Sequence, residues 1–192
     1  MILLVRHAES EANAGEATEF PDEAALTARG LEQARALAPT LPACDLVIAS
    51  SYARTQQTAA AAKQRITEIW PVHEFVYLTQ ARCGRSTAAE RRPHVEAYWA
   101  RNDPHYRDGA DVESFAQLLG RVRSMLDRLR DKAAIVFTHG LFIKAVYWVV
   151  LCGDLDMQRF RAFAQCLHVP NTAQIRLHYC DGAWHIGQPN VV

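Results

Sequence analysis

The chain has 192 residues, 49% of them hydrophobic and 22% charged, and its 21 basic and 21 acidic side chains cancel. That length and apolar content suffice for one domain with a full core, and the balanced charge gives no support to nucleic-acid binding, although a neutral chain can still hold a positive pocket. The longest apolar stretch, residues 141–152, is interrupted by Lys144 and is too short to span a bilayer. No secretory signal is visible, so a cytoplasmic protein with no membrane partner is expected.

In chain order, residues 2–5 (ILLV) form a first buried strand that ends at Arg6-His7. Residues 15–25 are polar and irregular, a loop. Thr27 is an N-cap for a helix running to about Leu41, with Gly30 tolerated in its first turns and Pro42 ending it. Residues 45–49 (DLVIA) are a second buried strand, followed by an alanine-rich helix over 52–65. Residues 69–78 are extended, with Pro71 arguing for an edge or an irregular strand. A helix is expected over 87–101, a loop over 102–110, and a long amphipathic helix over 112–130. Its apolar side carries Phe115, Leu118, Leu119, Val122, Met125, Leu126 and Leu129. Residues 134–138 (AIVFT) are the third core strand, ending at His139-Gly140. A mostly apolar helix follows over 141–151, a short one over 158–165, and a terminal hairpin pairs 172–179 with 183–186. Alternating strands and helices predict a three-layer α/β/α sandwich with a mainly parallel sheet.

The five cysteines are scattered and contain no CxxC, so reduced thiols are expected. His178 and Cys180 share a strand face, which is too little for a metal site; no metal and no cofactor are assigned. The chain has no GxxxxGK(S/T), no GxGxxG and no GxSxG, which removes the usual support for nucleotide folds and for a serine hydrolase elbow. Two strands that end in histidines remain. The carboxyl ends of parallel strands form the ligand crevice of an open α/β sheet, so both imidazoles are expected in one pocket. Arg6 beside His7 points to an anionic substrate, because guanidinium stays charged and matches phosphate oxygens with two parallel hydrogen bonds. A neutral imidazole is a competent nucleophile toward phosphorus, and cationic neighbours stabilise the charge on the transferring group.

Four segments carry a family resemblance. Arg6-His7-Ala8-Glu9-Ser10, with Asn13 six places after His7, resembles an R-H-G-E-S-x-x-N opening. Leu26-Thr27, Gly30 and Gln33-Ala34 resemble the helix that follows it. Ser50-Ser51, Arg54-Thr55, Gln57, Thr58 and Ala59 resemble an S-x-x-x-R-x-x-Q-T-A element, and Thr138-His139-Gly140 resembles a second histidine motif. In this order they resemble the histidine phosphatase superfamily, whose members look like phosphoglycerate mutase. The resemblance runs from Met1 to about Leu151 and is specific for the superfamily but not for the substrate.

The resemblance implies that His7 becomes phosphorylated and that Arg6, Arg54 and His139 form the cationic phosphate pocket around it. Asn13 and Ser10 would line that pocket, and Gly140 would open a helix whose first amides face the anion. The glycine of the family opening is Ala8 here, a difference of one methyl group. The general acid is expected at Glu74, at the end of the strand after the Arg54 helix, in an apolar setting of Val72, Phe75 and Val76 that would favour the protonated form. Glu113, in an element resembling G-E-S-F, is the alternative. Residues 79–111 are expected to form a cap over the site within a single domain spanning 1–192. Arg82, Arg85, Arg91, Arg92, His94, Arg101, His105 and Arg107 make that segment basic, which would attract a second anionic group on the substrate unless it is only a solvated face.

These residues imply a metal-independent phosphatase acting on a phosphorylated small molecule through a phosphohistidine. A phosphoglycerate mutase-type transfer is the alternative within enzymes, disfavoured by the lack of a long insertion that could exclude water. A non-catalytic phosphate-binding module on the same fold is the alternative outside them. The substrate and the oligomeric state are left open.

Overall fold

A computed structural model of the protein describes residues 1–15, 22–84 and 86–187; part of the loop expected over 15–25, and Arg85, lie outside the described residues. The elements in chain order are β1 (Ile2–Arg6), α1 (Glu11–Ala14), α2 (Ala28–Leu37) with a 3₁₀ turn (Ala38–Thr40), β2 (Val47–Ala49), α3 (Ala53–Ala61), β3 (Glu68–Ile69), α4 (Gln80–Cys83), α5 (Ala88–Ala100), α6 (Phe115–Leu129), β4 (Ala134–Thr138), α7 (Gly140–Leu151), α8 (Met157–Cys166), β5 (Gln174–Cys180) and β6 (Ala183–Ile186).

The six described strands form one sheet in the order β3-β2-β4-β1-β5-β6. β3, β2, β4 and β1 run parallel, while β5 and β6 are antiparallel additions at one side. Successive side chains of a strand face opposite ways, and here both faces are covered. Ile2, Leu4, Ile48, Val136 and Leu177 join the core built with α5, α6, α7 and α8. Leu3, Val5, Val47, Ala49, Ile135 and Phe137 pack with Leu37 of α2 and Ala59 of α3 on the other side. This is the α/β/α layering that the continuous apolar runs ILLV and AIVF predict.

Helix α6 buries the seven apolar positions read from its periodicity and starts at Ser114, whose hydroxyl accepts from Gln117 N. Truncating one of them, such as Leu119, to alanine would cost about 2–5 kcal/mol. Thr27 caps α2, accepting from Gly30 N at 3.0 Å. Gly30 is required rather than tolerated: a Cβ there would overlap the Glu9 carbonyl, so only glycine lets α2 abut the backbone just beyond His7. Helix α2 ends four residues earlier than expected because Pro39 supplies no amide and the chain tightens into the 3₁₀ turn.

The largest difference from the sequence reading is at residues 69–78. The strand there is only Glu68–Ile69. Trp70 N still donates to Ala49 O at 3.0 Å, but Pro71 has no amide and Val72 N turns back to Trp70 O at 2.8 Å, so the ladder stops. Residues 70–79 then run irregularly toward the carboxyl edge of the sheet.

Candidate active site

Three adjacent parallel strands end at one level. Arg6 pairs with Thr138 in register, His7 N donates to Thr138 O at 2.9 Å, and Ser50 N donates to Phe137 O at 3.3 Å. The chain therefore delivers Ser50, His139 and His7 side by side from β2, β4 and β1. The two imidazole centroids are 5.0 Å apart and both rings are almost fully buried.

Hydrogen bonding assigns the proton positions on both rings. His7 Nδ1 lies 2.7 Å from Ala8 O, an acceptor, so Nδ1 carries the proton. Nε2 is left with its lone pair, which accepts from Arg54 Nε at 3.2 Å. Around His139 the accounting starts at Thr55. Its hydroxyl proton goes to a backbone carbonyl, with Tyr52 O at 2.8 Å and Ser50 O at 3.2 Å. Thr55 Oγ1 therefore accepts from Ser50 Oγ at 2.8 Å, and the Ser50 oxygen accepts from His139 Nε2–H at 2.8 Å. His139 Nδ1 is buried with no hydrogen-bond partner among the described residues.

Electrostatics keeps both rings neutral. Burial, reinforced by the Arg54 charge and more weakly by Arg6, holds His7 well below its ordinary value. Burial, then Arg54, does the same for His139. Burial also lowers Arg6 and Arg54, and in each the nearby Glu74 carboxylate opposes it. Arg6 Nη1 donates to Val169 O at 2.5 Å, while its buried Nε has no hydrogen-bond partner among the described residues. Arg54, in the first turn of α3, also lies over the Tyr52 ring at 4.8 Å.

Glu74 reaches this cluster from the irregular segment, not from a strand end. Its Oε1 accepts from Leu141 N and from Phe75 N, each at 3.1 Å. The anion that meets the α7 amino terminus is thus the Glu74 carboxylate, bonded to Leu141 rather than to Gly140. Gly140 serves through its missing side chain, since a Cβ would come within 3.2 Å of Arg6 Nε.

The other expected residues are placed differently. Ser10 is buried as the N-cap of α1, with its amide and hydroxyl both on Asn13 Oδ1 at 3.3 Å. Asn13 Oδ1 also accepts from Asn171 Nδ2, which donates in turn to His7 O at 2.9 Å. Both residues shape the loop after His7. Glu113 is bound at both oxygens by Arg121, at 2.5 and 2.8 Å, and lines a neighbouring cavity of about 380 Å³ with His73, Arg107 and Gln117. Several of the described arginines of the basic segment are tied up within it. Arg82 pairs with Asp108 at 2.8 Å, Arg92 with Glu96 at 2.9 Å, and Arg101 stacks on Tyr106. Of its described residues, Arg91 lines a cavity of about 260 Å³ that meets the cluster at Arg54 and Glu74.

Sequence reasoning missed Tyr52, Thr55, His73, Arg121 and Asn171. Tyr52 stacks on His73 and meets His139 edge-on. Thr55 lies inside the matched arginine motif and was open to notice; Arg121 and Asn171 come from distant segments and carry no local signal. Among the described residues, no group of three or more His, Cys, Asp or Glu side chains is placed to hold a metal ion, and no helix is long and apolar enough to cross a membrane.

Phosphoserine phosphatase 1 of Hydrogenobacter thermophilus is 26% identical over 172 residues, which covers 84% of this chain and 80% of that protein. The fold matches a phosphoserine phosphatase of Entamoeba histolytica solved with 3-phosphoglyceric acid, at a TM-score of 0.77 and 20% identity, covering 100% of this chain and 96% of that one. It also matches a phosphoglycerate mutase of Thermus thermophilus, at a TM-score of 0.71 and 24% identity, covering 100% of this chain and 98% of that one. The profile of the histidine phosphatase superfamily (branch 1) spans residues 2–192. With two histidines facing each other across the ends of β1 and β4 and a family match over nearly its whole length, this chain belongs to the histidine phosphatase superfamily and is a phosphomonoester hydrolase.

Proposed function

We propose that the protein hydrolyses a small phosphomonoester without a metal ion, through a phosphohistidine on His7 Nε2. The observation that carries this reading is the His7 tautomer: Nδ1–H is committed to Ala8 O, so Nε2 holds the lone pair. When substrate enters, the Arg54 Nε–H now on that lone pair turns to a phosphoryl oxygen and frees the nucleophile. Arg6 Nε and His139 Nδ1 bind the remaining oxygens. His139 takes up a proton to do so, because its Nε2–H is already held by Ser50. These donors offset the negative charge of the transferring group.

Nε2 attacks phosphorus as the P–O bond breaks, and Glu74, handed a proton by the incoming phosphomonoester monoanion, passes it to the departing alkoxide. Glu74, now a carboxylate, takes a proton from water, whose oxygen displaces His7 from phosphorus and releases inorganic phosphate. Residues 79–111 cap the site, with α5 facing Glu74 across the cavity. The names of two relatives make phosphoserine a substrate to test early.

The test is hydrolysis of p-nitrophenyl phosphate in excess EDTA, with rapid quenching of labelled substrate. Wild-type protein turns over and traps a phosphate that acid releases; His7→Ala does neither. Activity that EDTA abolishes, acid-stable phosphate on serine, or a fully active His7→Ala would overturn the proposal.

A further inference from the structure

We infer that the leaving group of the physiological substrate is an apolar alcohol of about one ring in size, rather than an amino acid or a polyol. The inference rests on the phosphatase reading above and concerns the cavity that opens from Arg54 and Glu74. Its volume, about 260 Å³, is at the small end for a ligand pocket. Away from the reacting groups its described walls are mostly apolar, Phe75, Val76, Leu78 and Val95 among them, with Tyr52, Tyr77 and Arg91 as the polar-tipped exceptions.

That wall is rigid. The Phe75 ring packs on Tyr77 at 4.9 Å and edge-on to Phe115, and Tyr77 packs on Tyr98 at 4.6 Å and on Trp99 at 5.7 Å. Such a layer keeps its shape when empty, so an apolar group entering it displaces water without reorganising protein. Arg91 and Val95, one turn apart on α5, close the opposite side.

The charges present argue against a zwitterionic head group. Among the described residues an ammonium entering this cavity finds one carboxylate, Glu74, and pairing there would occupy the proton donor that the leaving oxygen needs. The hydroxyls of a polyol would be stripped of water against Phe75, Val76, Leu78 and Val95, with Arg91 and two tyrosines the polar groups that these described walls offer beyond the reacting cluster. An aromatic ring or branched alkyl group meets none of these costs and gains the buried area.

The test compares kcat/KM for benzyl phosphate, glycerol 1-phosphate and O-phosphoserine. All three are primary alkyl phosphates, so the scissile bond is of one kind and the contrast lies in the group attached to it. Benzyl phosphate should exceed each of the others by roughly ten- to hundredfold. Val95→Asp should lower the benzyl-to-glycerol ratio by about fivefold or more, and Val76→Ser should lower it in the same direction. Thermal unfolding of each variant shows that the fold is kept. Equal rates, a preference for phosphoserine, or ratios unmoved in both folded variants would overturn the inference while leaving the phosphatase reading intact. Failure to hydrolyse any of these substrates and p-nitrophenyl phosphate would instead overturn that reading, and the inference with it.

Discussion

Replacing Ser50 with alanine isolates the hydrogen bond that orients His139. In the native protein Ser50 Oγ accepts from His139 Nε2 at 2.8 Å and from Tyr52 N at 3.2 Å, and it donates to Thr55. The alanine variant leaves the Nε2–H of a fully buried ring without an acceptor. A stranded buried donor costs about 1–3 kcal/mol of stability. The catalytic cost comes on top of it, because in the proposed mechanism the ring becomes a cation when phosphate binds at Nδ1. The lost bond is then charge-assisted and worth about 1.5–3 kcal/mol. At about 1.4 kcal/mol per decade, kcat/KM should fall roughly 10- to 150-fold. The assay is steady-state hydrolysis across pH, paired with calorimetry of inorganic phosphate binding in buffers of different ionisation enthalpy. Wild-type protein should take up close to one proton per phosphate at neutral pH, since its Nε2–H tautomer has no proton to offer from Nδ1. Ser50→Ala should take up less, because its ring is free to adopt the other tautomer. Ser50→Thr, which keeps the hydroxyl, should recover most of the activity. A folded Ser50→Ala with kcat/KM within about twofold of wild type and unchanged proton uptake would refute this account of His139.

Arg54→Ala should lose about 10²–10³ in kcat/KM, the scale of one preorganised oxyanion donor. Arg54→Lys should recover little of that, because an ammonium cannot present the planar fork; wild-type rates in either variant would contradict the role given to Arg54. Glu74→Gln keeps an oxygen for Leu141 N and so should fold normally. It should slow benzyl phosphate by about 10² or more, and p-nitrophenyl phosphate far less, because nitrophenolate leaves without a proton; equal slowing would move the acid elsewhere. Stability should fall as the solution is acidified. His7, His139 and His73 are all held below the ordinary histidine value, burial being the first cause in each and His73 lying at about 4. The unfolded chain therefore binds protons below about pH 6.5 that the folded protein refuses. After a discount for its partial exposure, His73 alone accounts for roughly 1–2 kcal/mol lost between pH 6.5 and 4. Urea unfolding at pH 7.5 and 5 measures this, and His73→Gln should flatten the slope; a protein more stable at pH 5 would contradict it.

What could be read from the chain follows the range of the interactions involved. Strands β1 and β4 are apolar runs whose pattern survives any context, and α6 shows its full buried stripe because helical periodicity is local. His7, Arg54 and His139 were legible because each lies within a compact motif at the end of an element. Glu74 was found by position, but the strand assumed to carry it ends at Ile69, since one proline on an edge cancels a ladder that apolar alternation alone suggests. The partners that hold the cluster were not legible. Asn171 contacts the His7 carbonyl across more than 160 positions, and Arg121 captures Glu113 and also donates to Pro71 O and His73 O. Such contacts exist only after the sheet has assembled.

The level ending of β2, β4 and β1 has a dimensional consequence. Neighbouring strands in any sheet lie about 4.8 Å apart, and the two facing imidazoles sit 5.0 Å from centroid to centroid. The backbone separation of His7 and His139 is therefore set by interstrand hydrogen bonding, beyond the reach of ordinary side-chain substitution. A lineage built on this sheet cannot retune its chemistry by widening that gap. Its room for divergence is in the irregular segment after Ile69 and in α5, where a change reshapes what is attached to phosphorus and leaves the phosphoryl grip untouched.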